Sequence, residues 1–172
     1  MKISELLNED ISPVEYYVSS PENINQEVMS HLVDLIAAGS EVGGDKVVRN
    51  LQNAANIAYA TADGKTVGVI VLKNPLNSYR TKVFTAAGVP ELAAKYDQEL
   101  GYTYVDPAYR DRGVGIFLCR KMSQTITAPI FATTRETNTI INKILQIGRF
   151  QKTGHSYQSE RGAGNLLLWT KG

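Results

Sequence analysis

The stretch Val105-Asp106-Pro107-Ala108-Tyr109-Arg110-Asp111-Arg112-Gly113-Val114-Gly115-Ile116-Phe117-Leu118 sets two arginines beside two glycines where a strand pattern gives way to a helix pattern. At a helix start the first backbone N–H groups lack intrahelical acceptors and point outward, which makes the turn a place for an anion. Gly113 and Gly115 permit unusual backbone angles and let a phosphate approach without an intervening side chain, while Arg110 and Arg112 add positive charge. The ligand this chemistry fits is a phosphate or diphosphate. A Gly-x-Gly at such a junction also serves as a plain turn, so the glycines alone decide little. The order Arg-x-x-Gly-x-Gly matches neither the Gly-x-Gly-x-x-Gly of dinucleotide sites nor the Gly-x-x-x-x-Gly-Lys-Ser/Thr of nucleoside triphosphate sites.

Several elements must hold that turn. Val14 to Val18 reads as a first strand, and Ser20-Pro21 opens a long helix in which Ile24, Val28, Leu32, Leu35 and Ile36 recur at helical spacing up to Gly39. A shorter helix opens at Asp45, after Val42-Gly43-Gly44, and carries Val47, Val48 and Leu51. Ile57 to Ala62 and Thr66 to Leu72 are two apolar runs joined through Asp63-Gly64, a strong hairpin signal. The segment 74–98 reads as an insert with a helix over 78–87 and a further turn or two from Pro90 to Tyr96, flexible by composition. Leu100 to Val105 is a strand ended by Asp106-Pro107; a helix with Val114, Phe117, Leu118 and Met122 follows. Ile130 to Thr133 is a short strand, Asn138 to Ile147 a helix, and two strands, about 151–157 and 166–170, close the chain. Antiparallel strands first and a β-α-β unit later make a mixed α/β class.

A chain of 172 residues suits one domain, 1–172, with 1–12 as a leader. Its formal net charge of +1 gives little support to nucleic acid as a partner, which calls for a broad cationic surface. One cysteine, Cys119, excludes an intrachain disulfide and a multi-cysteine metal site, and suits a reducing compartment. Glu5, Glu9 and Asp10 interrupt the apolar run a signal peptide needs, and no window reaches the length of a membrane span, so the reading is cytoplasmic. Two histidines without paired ligand spacing suggest no metal; His31 reads as a helix-face residue and Cys119 as core packing.

The segment Glu99 to Leu118 resembles motif A of the GNAT acetyltransferases, and Thr133 through Asn138 to Gly148-Arg149-Phe150 is similar to the motif that follows it in that family. The resemblance covers about residues 57–171. It implies a mostly antiparallel sheet of about six to seven strands flanked by about four helices, with a splayed central strand pair. It implies acetyl-CoA as co-substrate, its pyrophosphate held by Arg110, Asp111, Arg112, Gly113, Val114, Gly115 and Ile116. Backbone groups of Tyr104 and Val105 would pair with the pantetheine arm, and Asn138 would contact the coenzyme from the other side of the splay. The acceptor implied is a primary amine of a small molecule, peptide or protein, approaching between 39–46 and 74–98. Dimers are common in the family, and the C-terminal strands with Trp169 offer a surface for a homodimer.

Acyl transfer to an amine needs a group that removes a proton and often one that protonates the leaving thiolate. Glu99 stands eleven residues before Arg110, a placement similar to that of the catalytic glutamate in the histone-acetylating branch of the family, and is the candidate base. The family's tyrosine acid stands seven residues past the asparagine, where this chain has Leu145. Either the thiolate leaves unassisted or Tyr157, Tyr102 or His155 substitutes; Tyr157 is the residue named here. Arg149, between Gly148 and Phe150, also departs from the family's adjacent Gly-Phe. Two other readings stay open: a nucleobase-modifying enzyme on the same fold, and a module that binds CoA without turnover, to which the missing tyrosine points.

Overall fold

In the computed structural model the described residues are 13–39 and 43–172; the leader 1–12 and the Val42 approach lie outside them. Seven strands form one sheet in the order β1-β2-β3-β4-β5-β7-β6. They are β1 (Glu15–Ser19), β2 (Asn56–Ala62), β3 (Lys65–Lys73), β4 (Gln98–Val105), β5 (Ile130–Arg135), β6 (Gln151–Gln158) and β7 (Asn165–Lys171). The helices are α1 (Gln26–Gly39), α2 (Gly44–Gln52), α3 (Asn77–Ala86), α4 (Val114–Thr125) and α5 (Thr139–Ile147). All neighbouring strands pair antiparallel except β4 with β5. The mixed, mostly antiparallel sheet is the one expected; five α-helices accompany it among the described residues, rather than about four.

Alternation along the strands sorts apolar side chains to two faces. Ala58, Ile70, Leu100, Ala132 and Trp169 face α4 and α5, whose Leu118, Met122 and Leu145 complete that core. Val69 and Val71 face the other way, onto Leu32 and Ile36 of α1 and Val47 and Leu51 of α2. β3, the third strand in the sheet order, is buried from Thr66 to Leu72 because both its faces are covered. Asp63 (φ 50°) and Gly64 (φ 72°) adopt the left-handed conformation that a tight β2–β3 hairpin needs.

The structure corrects three expectations and gives a fourth, the Arg149 insertion, its local geometry. Pro21–Asn23 is a short 3₁₀ turn, and the long helix starts later because Asn25 caps it, its Oδ1 accepting the Val28 N–H at 2.9 Å. The segment 74–98 is not a loose insert: α3 and the 3₁₀ turn Pro90–Lys95 bury Phe84, Ala93 and Tyr96 against Phe131 and Leu168 of the sheet. The helix expected over 78–87 is α3; what the sequence did not show is its packing, because its buried residues, Val83 and Phe84, are adjacent and mark no helical stripe. Trp169 is 1% exposed and its Nε1 donates to Thr134 Oγ1 at 2.9 Å, so it is a core residue with no face for a partner. Arg149 (φ 65°) takes the left-handed position after α5, and the Phe150 N–H bonds the Leu145 carbonyl at 2.9 Å. The extra residue thereby closes the helix and delivers Phe150 to the core.

Candidate functional site

β4 and β5 are in register at only two pairs, Gln98 with Ile130 and Glu99 with Phe131. Beyond these, β4 stays with β3 as far as Val105 and β5 stays with β7 as far as Arg135, so the two strands part. The gap between them is a cavity lined by Gly101 to Tyr104 of β4, Thr133 and Thr134 of β5, and Asn138 and Leu145 at the α5 side. On the β4 wall the pairing jumps from Val71–Gly101 to Val69–Tyr104, so Tyr102 and Thr103 together oppose Ile70. Tyr102 has φ 48°, a left-handed bulge costing on the order of 1–3 kcal/mol for a non-glycine residue. Asn50 of α2 holds it there by donating to the Tyr102 hydroxyl. The bulge interrupts the regular β3–β4 register at residues that line the cavity.

At the far end of β4, Asp106 accepts the Ala108 N–H at 2.8 Å and starts the 3₁₀ turn Pro107–Tyr109. Asp111 (φ 61°) and Gly113 (φ 77°) then reverse the chain into α4, the kind of alternation that turns successive N–H groups to one side. The first bond into this helix is from the Phe117 N–H to the Gly113 carbonyl at 3.0 Å, so the donors of Gly113, Val114, Gly115 and Ile116 precede it. Arg110 is tied to the strand through Nε on the Val105 carbonyl at 3.1 Å, its guanidinium 5.4 Å from the Tyr104 ring centre. The two glycines serve different ends. Gly113 supplies the positive φ, whereas a Cβ on Gly115 would lie 2.8 Å from Ile144 Cδ1, so Gly115 lets α5 pack close to α4. Val114 is buried, and only its backbone can reach a ligand.

At the closed end of the splay lies Glu99. It is 2% exposed, and a buried glutamate requires partners. Thr133 and Tyr79 donate to its Oε1 at 2.9 and 3.2 Å, and Lys73 Nζ stands 2.7 Å from its Oε2. These partners come from β5, α3 and β3, and together they form a polar seam between the α1/α2 core and the α3 core. Burial of the hydroxyl, then the Glu99 charge, pushes the Tyr79 phenol well above its usual range, although the residue as a whole is 40% exposed. Tyr157 has a buried hydroxyl with no hydrogen-bond partner among the described residues. Burial first, and the Glu99 charge second, push its pKa up to about 12, so it stays a neutral phenol across the physiological range.

The structure brings Glu99, Tyr79 and Tyr157 into one electrostatic neighbourhood, and Tyr104 and Asn138 to the cavity wall. Asn138 also caps α5, its Oδ1 accepting the Ile141 N–H at 3.2 Å. Tyr157 and His155 do not line the cavity, and His155 is exposed. Cys119 is core, its thiol pKa pushed up by burial. Among the described residues there is no His/Cys/Asp/Glu group that would hold a metal ion, and no helix long and apolar enough to cross a membrane. Ser40 to Val42, part of the expected acceptor region, lie outside the described residues. Sequence reasoning missed Lys73, Tyr79 and Thr133. Only the Lys73 position carried a signal, a charge at the end of an apolar strand.

No protein-family model matches the sequence, and a search of curated proteins finds no match. Solved structures do match. An acyl-CoA N-acyltransferase from Pseudomonas aeruginosa is similar at 10% identity with a TM-score of 0.62, over 93% of this chain and 100% of that one. A putative GNAT-family acetyltransferase from Desulfovibrio desulfuricans gives 11% identity and a TM-score of 0.66, over 92% and 98%. NAA60 of Arabidopsis thaliana, solved with a bisubstrate analogue, gives 15% and 0.63, over 92% and 97%. At such identities the likeness establishes the architecture.

Proposed function

We propose that this chain, which has the GNAT fold, is an acyl-CoA-dependent N-acyltransferase that moves an acetyl group from acetyl-CoA to a primary amine of a small molecule, peptide or protein. The observation that carries the reading is the parting of β4 from β5 immediately beyond Glu99, with the α4 N-terminus following β4 and a buried carboxylate at the closed end. A pantetheine arm fits the gap, where β4 has parted from β5 and the bulge at Tyr102 and Thr103 interrupts its register with β3.

In this mechanism the N–H groups at the start of α4, with Arg110, Asp111 and Arg112 around them, hold the pyrophosphate. Backbone groups of Tyr104 and Val105 align the arm, with Asn138 across the splay. A β4 N–H facing the thioester carbonyl stabilises the oxyanion as the amine attacks. Glu99 takes the amine proton; the C–N bond forms, the C–S bond breaks and the thiolate departs. Tyr157 is the proposed donor to that thiolate. What supports it is position: a buried hydroxyl with no hydrogen-bond partner among the described residues, close enough to Glu99 to feel its charge, although it is not on the cavity wall.

The test is release of free CoA thiol from acetyl-CoA with a panel of primary amines. Amine-dependent release is expected. Measurable coenzyme binding with no release to any amine would reduce the chain to a CoA-binding module.

A further inference from the structure

The seam that holds Glu99 already contains a primary amine. Lys73 and Glu99 are directly paired across β3 and β4, so their side chains share a face of the sheet. Lys73 crosses above Gly101, where a Cβ would lie 2.7 Å from its Cε and 2.9 Å from its Nζ. The absent side chain at Gly101 is what lets the lysine fold inward. Its Nζ ends 2.7 Å from Glu99 Oε2 and 5.0 Å from the centre of the Tyr102 ring. Gly101 and Tyr102 are themselves wall residues of the cavity. A carboxylate and an aromatic face thus enclose an ammonium at the closed end of the splay, the arrangement an acceptor amine would require. The lysine side chain is 22% exposed and Glu99 3%, so this amine is sheltered from water while touching the candidate base.

Resting on the acyltransferase reading, we propose that Lys73 is an acceptor of the protein's own reaction: with an acyl thioester in the cavity, the chain acylates Lys73 Nζ. Glu99 accepts the proton from the ammonium, and the freed amine attacks the thioester carbonyl. The C–N bond forms, the C–S bond breaks, and the thiolate leaves and takes up a proton. The product is an amide. Acetyl-Lys73 carries no charge, so Glu99 loses its internal cation and the place beside it opens to the ammonium of an external substrate. The modification is therefore both a first turnover and a release of the base.

The experiment is incubation of the purified full-length chain with acetyl-CoA, followed by peptide mapping by mass spectrometry. One acetyl group on the Lys73 peptide is expected, with a rate independent of protein concentration. Exposed Lys82 and Lys95 are internal controls, since uncatalysed acylation favours accessible amines. Glu99→Gln is expected to slow the labelling about 100-fold, and Lys73→Arg, which keeps the cation without an acylatable amine, to abolish it. Labelling spread over surface lysines at a rate that Glu99→Gln leaves unchanged overturns the proposal. An unmodified Lys73 in a protein that releases thiol to added amines overturns it while leaving the enzyme reading intact. Failure to bind the coenzyme at all sinks both.

Discussion

The two ends of β4 are built in opposite ways. The turn from Val105 to Gly115 is a contiguous piece of chain whose groups act through backbone geometry and lie near the surface. The Glu99 seam is assembled from β3, α3, β4, β5 and β6, and acts through side chains taken out of water. A contiguous turn needs only local conformation to bind an anion, whereas a buried carboxylate exists only because distant elements each bring it a donor. Affinity for the coenzyme and rate of transfer should therefore separate cleanly by mutation.

The largest separation is expected at Glu99. Glu99→Gln keeps the shape and loses the base, so amine-dependent kcat/KM should fall roughly 10²–10⁴-fold while coenzyme affinity by calorimetry stays unchanged. A rate that survives would remove Glu99 from the chemistry. At the other end, Gly113→Val places a β-branched residue at φ 77°, a strain of about 1–2 kcal/mol. Coenzyme binding should weaken roughly tenfold, with kcat at saturating coenzyme little altered. A loss of kcat alone would mean that the two ends are not independent.

The smallest effect concerns stability. Tyr157→Phe deletes a buried hydroxyl that has no hydrogen-bond partner among the described residues, and should stabilise the fold by about 1 kcal/mol in a urea titration. The folded pKa of this phenol is raised from 10.0 to about 12. The stability tied to its neutral form is fully present below about pH 10 and is lost as pH rises through about 12. The variant should therefore show a shallower alkaline decline. If instead it is destabilised at neutral pH, the hydroxyl has a partner in solution.

How much of this could be read in advance differs between the two ends for the same reason. The α4 turn was readable because Arg110, Asp111, Arg112 and Gly113 are neighbours in the chain, although the role of Gly115 was not: its need for smallness comes from Ile144, on another helix. Glu99 was singled out as a candidate by the family resemblance, through its offset from Arg110, but nothing local indicated its burial. Lys73 is a strand-end charge in sequence and a counter-ion in space. Tyr79 sits on α3, whose apolar residues form no clear stripe.

What the amino-acid order determined by itself was the periodicity of the strands and helices, the hairpin at Asp63-Gly64 and the glycine turn into α4, all properties of residues a few positions apart. The tertiary structure alone decided where β4 leaves β5, that Tyr102 bulges, that Trp169 is core, and that Lys73, Tyr79 and Thr133 converge on one carboxylate. Backbone preferences act over a turn or two of chain. Burial and charge pairing act between residues that meet only once the sheet has closed over them.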